Sequence, residues 1–150
     1  MLKLKIPPAF VFLICIGLMW ALDNQITDWF VIDLDQWVLR IILAFGVLFG
    51  LGGVIQFRNN STTVDPHHPE KARMLVTSGV YKFSRNPMYL AMFLILLGGM
   101  IKFGEPAGII VLIFYVWYIN KFQIKPEEEI MEQKFEEEFL EYKKAVRRWI

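Results

Sequence analysis

The sequence has 150 residues, of which 55% are hydrophobic and 21% are charged, and its formal net charge is +1. This length suits a single domain, and the composition is far more apolar than that of an average soluble protein. A lone cysteine excludes a disulfide within the chain. We therefore expect a membrane protein, with neither a nucleic-acid partner nor a bound metal, while its oligomeric state stays open.

Four stretches contain no Asp, Glu, Lys or Arg, and these are residues 6–22, 41–57, 88–101 and 106–119. A bilayer-spanning helix needs roughly 20 mostly apolar residues, with a lower bound near 17. The first two stretches reach this bound alone, whereas the last two lengthen only if the lysines beside them snorkel to the interface. We predict transmembrane helices at about 6–22, 38–57, 87–101 and 106–122.

The last two of these helices are separated only by residues 102–106, so we expect them to form a tight helical hairpin. A buried hairpin that does not fully cross the bilayer is the alternative, and the sequence leaves both open. The first helix is expected to stay uncleaved, because bulky residues follow it where a signal peptidase needs small ones.

The charged residues between these helices are distributed unevenly. Residues 23–36 contain four aspartates and no basic residue, whereas residues 58–85 contain five Lys or Arg. Basic residues mark the cytoplasmic side of a membrane protein. The pattern predicts a multi-pass protein of the cytoplasmic membrane with both termini and the loop 58–86 in the cytoplasm.

Two adjacent histidines, His67 and His68, lie in this loop. They lack a third ligand at helical spacing, and no cysteine is near them. A metal site needs at least three protein ligands in most cases. We therefore interpret them as loop residues and predict no metal site.

The tail is predicted to be one amphipathic cytoplasmic helix at about 126–148. Pro126 suits the first helical turn, where acidic residues follow it, and basic residues lie at the other end. One apolar stripe recurs at three- and four-residue steps: Met131, Phe135, Phe139, Tyr142, Val146 and Trp149. Glu128 extends this stripe, so its carboxylate points towards the protein or membrane, where an unpaired charge is costly.

The cytoplasmic loop enters the third predicted helix through a polar and aromatic segment, residues 79–90. Pro87 fits the first turn of the helix, which leaves Asn86 or Arg85 near the cap. The free N–H groups of a helix start attract an anionic group, and Arg85 can hold a carboxylate bidentately. Tyr81 and Tyr89 can flank an aromatic or cationic ligand. Alternatively, these Arg and Tyr side chains anchor the chain at the membrane interface.

Segment 79–90 resembles the signature of the isoprenylcysteine carboxyl methyltransferase and phospholipid methyltransferase superfamily. That signature is Gly-Pro-Tyr, a few residues, and then Arg-His-Pro-x-Tyr. A second family element begins with a Glu-Glu pair and ends with Val-Pro-Arg. Here it is matched in order and spacing by Glu127, Glu128, Met131, Phe135, Phe139, Tyr142, Val146 and Arg148. The resemblance covers the chain from residue 62 onwards.

The sequence departs from the family pattern at several positions. Asn86 stands where many members have His, so it keeps hydrogen-bonding capacity but loses an ionisable ring. Asn86 can therefore still hold a cofactor, but it is not expected to accept a proton. Val80, Phe139 and Arg147 also replace the Pro, Tyr and Pro of the pattern.

The resemblance implies methyl transfer from S-adenosylmethionine. It implies cofactor-binding residues at Val80, Tyr81, Arg85, Asn86, Pro87, Tyr89, Leu90, Glu127 and Glu128, and catalytic residues at Asn86, Glu128 and Arg148. Arg85 would take the cofactor carboxylate, and Glu128 would attract its ammonium or sulfonium. Arg148 would orient an anionic acceptor or contact the membrane surface.

The predicted function is therefore an integral membrane methyltransferase that acts on a lipophilic acceptor, with O-methylation of an isoprenylcysteine-like carboxylate as the first expectation. A lipid-amine N-methyltransferase of the same fold is the nearest alternative. A non-catalytic four-helix membrane protein is the alternative from another class. A related membrane reductase is a weaker third possibility.

Overall fold

The computed structural model describes residues 4–23, 35–59, 74–103 and 107–150. Within these ranges the secondary structure is helical and contains no strand, as predicted. The five α-helices are α1 (Pro8–Asp23), α2 (Gln36–Asn59), α3 (Pro87–Phe103), α4 (Gly108–Ile119) and α5 (Lys125–Ala145). Two short elements connect them: a 3₁₀ turn, Gly79–Lys82, and a π-turn, Asn120–Ile124. The predicted loop histidines and the turn 104–106 lie outside the described residues.

Two of the described helical stretches are long and apolar enough to cross a bilayer, namely Gln36–Arg58 and Gly108–Ala145. The apolar part of the second stretch is α4, and its charged part, α5, lies beyond the predicted span. Helices α1 and α3 are apolar but shorter, at 16 and 17 residues. The number of spans therefore stays a prediction.

Helices α2 and α4 expose large apolar side chains. Val47, Leu48 and Leu51 on α2 are each more than half exposed, as are Ile110 and Ile113 on α4. Contiguous apolar surface of this kind is unfavourable in water, whereas hydrocarbon accommodates it without cost. This exposure fits a chain that is surrounded by lipid.

The main core lies between α1, α3 and α4. Cys15, Tyr115 and Ile119 are completely buried in it. Helices α3 and α4 are antiparallel, because the Tyr115 hydroxyl donates to the Tyr89 carbonyl (3.1 Å) while Gly108 faces Met100.

Helix α2 packs on α3 through a glycine face. A Cβ added at Gly46 would lie 3.3 Å from Ile95 Cγ1, and one added at Gly50 would lie 3.3 Å from Ala91 Cβ. Glycines four residues apart let two helix backbones approach closely, which increases van der Waals contact inside a membrane. This contact brings the C-terminal end of α2 beside the start of α3.

The tail helix does not continue straight as predicted. Glu136 has φ 43° and ψ −116°, which interrupts α5. Lys143 Nζ lies 2.8 Å from Glu132 Oε2 although the two residues are eleven positions apart, a separation of about 16 Å along a straight helix. The two halves of α5 therefore lie side by side, and the prediction of a single helix over 126–148 is wrong at this point.

The reversal has a physical cause in the apolar stripe. Phe139 and Tyr142 are buried in a second cluster with Val76 and Tyr81. Burial of each aromatic side chain contributes a few kcal/mol, which exceeds the cost of about 1–3 kcal/mol for one strained residue. The second half of α5 therefore folds back onto the 3₁₀ turn.

Candidate functional site

The 3₁₀ turn packs against the C-terminal end of α2. Gly79 has φ 61°, and a Cβ at this position would clash with the Gln56 side chain. The Ser78 hydroxyl donates to Gln56 Oε1 at 2.8 Å. Val80 packs closely on Gly52, since a Cβ added at Gly52 would lie 2.6 Å from Val80 Cγ1. Gly79 therefore combines a positive φ with a close approach that leaves no room for a side chain.

Tyr81 is buried rather than open to a ligand. Its ring contacts Phe57 edge to face with centroids 5.5 Å apart, and its carbonyl accepts a hydrogen bond from the Tyr142 hydroxyl at 2.7 Å. In this conformation Tyr81 joins α2 to the second half of α5. Tyr81 therefore has a structural role next to the site.

The start of α3 follows the predicted arrangement. Pro87 is its first residue and is buried, and the Leu90 N–H donates to the Asn86 carbonyl at 3.0 Å. The Asn86 side chain does not cap the helix. Its Nδ2 donates to the Arg148 carbonyl at 3.0 Å, so Asn86 ties the start of α3 to the chain after α5.

Arg85 links three parts of the tail. Its Nη1 donates to the carbonyls of Lys143 (3.2 Å) and Val146 (2.6 Å), which lie at the end of α5. Its Nη2 donates to Glu128 at 2.7 Å. A cation at a helix C-terminus satisfies carbonyls that have no partner within the helix. The Nε atom of Arg85 is buried and has no partner among the described residues.

Glu128 accepts hydrogen bonds from two arginines. Arg148 Nη2 lies 2.6 Å from Glu128 Oε2, and its Nε lies 3.2 Å from Oε1, the oxygen that also binds Arg85. Both oxygens are thus engaged within the chain. The predicted role of Glu128, attraction of the cofactor ammonium or sulfonium, stays a prediction. In this structure Glu128 joins the first turn of α5 to Arg85 before α3 and to Arg148 after α5.

Glu127, one residue earlier, has a different environment. It accepts a hydrogen bond from the Tyr89 hydroxyl, and its other oxygen has no partner within the described part of the chain. Tyr89 lies in the signature segment and Glu127 in the second family element. The two motifs, 38 residues apart in sequence, therefore meet at this hydrogen bond.

The two carboxyl groups also differ electrostatically. Burial raises the pKa of Glu127 to about 7, and the charge of Glu128 adds to this, while the Tyr89 hydrogen bond opposes it. Burial would raise the pKa of Glu128 as well, but the hydrogen bonds and charges of Arg148 and Arg85 lower it below its ordinary value. Adjacent acids with opposite shifts suit different roles: Glu128 is a fixed anion, and Glu127 exchanges its proton near neutrality.

The structure thus brings most of the predicted site residues together, namely Arg85, Asn86, Tyr89, Glu127, Glu128 and Arg148. Of the other predicted site residues, Tyr81, Pro87 and Leu90 are buried, and Val80 packs on Gly52. Sequence reasoning missed the carbonyls of Lys143 and Val146 as partners of Arg85, and it missed Tyr115 beneath Tyr89. The reversal at Glu136 creates the first of these contacts, and no sequence signal indicated it.

Comparison with known proteins places the chain in a family. The family model for phospholipid methyltransferase matches residues 35–138, a range that contains both Tyr89 and Glu127. The chain belongs to the phospholipid methyltransferase family.

Several members and relatives are similar in sequence. A Saccharomyces cerevisiae protein-S-isoprenylcysteine O-methyltransferase is 34% identical over 77 residues, which is 51% of this chain and 32% of the relative. The Homo sapiens protein of the same name is 28% identical over 106 residues, 71% of this chain and 37% of the relative. An uncharacterised Haemophilus influenzae protein is 41% identical over 63 residues, 42% of this chain and the whole of the relative.

This phospholipid methyltransferase family member spans only about a third of the length of the yeast and human relatives. No solved structure matches it significantly.

Proposed function

We propose that this family member is an integral membrane methyltransferase that uses S-adenosylmethionine and acts on a membrane-associated acceptor. The observation that supports this proposal most strongly is the contact between the two family motifs, in which Tyr89 binds Glu127 and Arg85 binds Glu128. These contacts bring charged and hydrogen-bonding groups together at the predicted cytoplasmic end of α3. The proposal includes four membrane spans, with the site open to the cytoplasm.

The residues present fit the charged groups of the cofactor. Its carboxylate suits Arg85, whose buried Nε is still unpartnered among the described residues, because a guanidinium binds carboxylates strongly. Its ammonium suits the Glu127 oxygen that Tyr89 does not bind. S-adenosylmethionine supplies an activated methyl group on sulfur when bound. The protein then needs to align the acceptor and exclude water rather than provide strong acid–base chemistry.

The preferred acceptor class is an isoprenylcysteine-like carboxylate. The named relatives are O-methyltransferases of this class, and a carboxylate nucleophile needs no base. The chain also lacks an ionisable ring at Asn86, so a mechanism without a histidine base suits it. The side chain of Arg148 is 32% exposed, and in this proposal it would orient an anionic acceptor.

A lipid-amine acceptor is the second candidate, and Glu127 favours it. An amine must lose a proton before or during transfer, and a carboxylate with a pKa of about 7 accepts one at neutral pH. The family description, phospholipid methyltransferase, points in the same direction.

The stability of the labelled product separates these candidates. Purified protein in lipid nanodiscs is given methyl-labelled S-adenosylmethionine with either a farnesylcysteine derivative or phosphatidylethanolamine. A methyl ester releases labelled methanol in base, whereas an N-methyl group does not. Base-labile label on the farnesylcysteine derivative supports the preferred acceptor, and base-stable label on the lipid supports the second.

A non-catalytic membrane protein would transfer no label to either acceptor and would not bind the cofactor. A folded protein that binds S-adenosylmethionine but labels neither compound would contradict the acceptor classes alone. The two results thus separate failure of the activity from failure of the substrate assignment.

A further inference from the structure

The segment before α3 and the segment after α5 lie next to each other. The Arg85 N–H donates to the Arg147 carbonyl at 3.0 Å, and Ser84 Oγ and Asn86 Nδ2 both donate to the Arg148 carbonyl. Three hydrogen bonds therefore hold residues 84–86 against residues 147–148. The residues that flank this pairing on the two segments therefore lie near one another.

The two arginines of this strand-like segment point in different directions. Val146, the residue before them, has extended backbone with φ −127° and ψ 134°. Arg148 faces inwards and binds Glu128. Arg147 is exposed and forms no ion pair with any described residue. The sequence alone left Arg148 as a possible membrane contact, and the geometry transfers that role to Arg147.

Apolar and basic side chains close to this pairing along the chain are exposed. Phe83 is 67% exposed and Ile150 is 70% exposed, while Lys82 and Arg147 are also exposed. Neither 80–86 nor 146–150 contains an acidic residue. We call these four residues (Lys82, Phe83, Arg147 and Ile150) the basic-apolar surface.

The contacts of Trp149 show where this surface lies along the axes of α3 and α4. Its ring contacts Phe93 with centroids 6.2 Å apart, and its Nε1 donates to Asn120 Oδ1 at 3.3 Å. Phe93 lies six residues into α3, or about 9 Å along its axis. The segment that carries the basic-apolar surface therefore lies beside the first turns of α3 and the end of α4, where the predicted spans meet the cytoplasm.

We propose that the basic-apolar surface docks on anionic phospholipid of the cytoplasmic leaflet, with Lys82 and Arg147 at the headgroups and Phe83 and Ile150 among the upper acyl chains. Exposed aromatic and aliphatic side chains beside lysine and arginine favour this position at a bilayer. The backbone pairing transmits the contact directly to Arg85 and Asn86. The surface thus holds the mouth of the site at the depth of lipid headgroups.

Native mass spectrometry of the full chain in detergent micelles tests this proposal. The probes are phosphatidylglycerol and phosphatidylcholine with identical acyl chains, and the readout is the ratio of the two retained lipids. Wild-type protein is expected to prefer phosphatidylglycerol. Lys82→Gln and Arg147→Gln are each expected to reduce the ratio about fivefold, the effect of one cation near an anionic surface.

Lys102→Gln is the matched control, because Lys102 is exposed at the opposite end of α3. It is expected to leave the ratio unchanged, and unchanged thermal midpoints verify that all three variants remain folded. Equal retention of both lipids by wild-type protein would overturn the proposal. An equal loss with Lys102→Gln would also overturn it, as would complete displacement of phosphatidylglycerol by millimolar inorganic phosphate, which would identify a free-phosphate site instead.

Discussion

Glu128 binds Arg85 and Arg148 through the two oxygens of one carboxylate, at 2.7 and 2.6 Å. Because Arg85 precedes α3 and Arg148 follows α5, this ion triad connects the two family motifs to each other. The side chains of Arg85 and Glu128 are only 10% and 12% exposed, so their charges are poorly solvated. Removal of the shared anion leaves two cations facing each other.

We therefore predict that Glu128→Ala lowers the free energy of unfolding by about 3 kcal/mol, the usual cost of breaking a buried ion pair. The measurement is denaturant unfolding in detergent. Glu132→Gln is the matched control, because the Glu132–Lys143 pair is 44% and 32% exposed and such pairs contribute about 0–1 kcal/mol. Similar losses in both variants would contradict the assignment of Glu128 as a buried bridging anion.

The raised pKa of Glu127 predicts that the stability of the protein depends on pH. Its pKa rises from an ordinary value of 4.5 to about 7 in the folded chain, so the folded state holds this proton more tightly than the unfolded state does. Its contribution to stability is therefore complete below pH 4.5, declines as the pH rises to about 7, and is lost above that. The pKa of Glu128 is lowered instead. Its contribution to stability is therefore present above pH 4.5 and is lost as the pH falls below that value.

The thermal midpoint of wild-type protein, followed from pH 5 to pH 8, is expected to include this decline. Glu127→Gln, which keeps a hydrogen-bond acceptor for Tyr89, is expected to remove it. The same decline in both proteins would mean that another group causes it.

Gly79 is predicted to resist substitution. Gly79→Ala places a Cβ in a left-handed conformation and against Gln56, which costs about 1–2 kcal/mol in free energy of unfolding from the backbone alone. Gly17→Ala is the control, since a Cβ there meets nothing within 4 Å and alanine favours a helix. A Gly79→Ala protein as stable as Gly17→Ala would disprove this conformation.

The break at Glu136 predicts an unusual response to glycine. Glu136 has a positive φ, so Glu136→Gly is expected to stabilise the protein by about 1 kcal/mol. The same change at exposed Glu138, inside the second half of α5, is expected to destabilise it by a similar amount. Paired spin labels at 132 and 143 give a direct check, because a continuous helix would separate their backbones by about 16 Å.

The predicted topology can be tested with cysteine labelling. Cys15 is the chain's single cysteine and is completely buried, so it is expected to give little background with an impermeant maleimide. Asn24→Cys is expected to react from outside intact cells, whereas Ser61→Cys is expected to react only after lysis. Labelling of both from outside would contradict the four-span arrangement.

Much of the architecture followed from local signals in the sequence. The apolar stretches carry helices, and Pro87 begins α3 as its position suggested. These features depend on residues near in sequence, where periodicity and backbone preference are informative.

The sequence named residues that the fold brings together, but it did not give their partners. Helical spacing placed Glu128 on the stripe that faces the protein or the membrane, but it did not indicate that two arginines bind its carboxylate. That pairing requires the reversal at Glu136, which has no glycine or proline to signal it. The result depends on long-range burial of Phe139 and Tyr142, and such packing overrides local helix preference.

The most direct test of the proposed function is calorimetric titration of S-adenosylmethionine and its demethylated product into the protein in lipid nanodiscs. Wild-type protein is compared with Arg85→Ala, Glu127→Gln and the control Glu141→Gln, an exposed residue of α5. We predict micromolar binding that Arg85→Ala and Glu127→Gln each weaken at least tenfold, or about 1.4 kcal/mol, while Glu141→Gln has no effect. Absence of binding by folded wild-type protein would contradict the proposal.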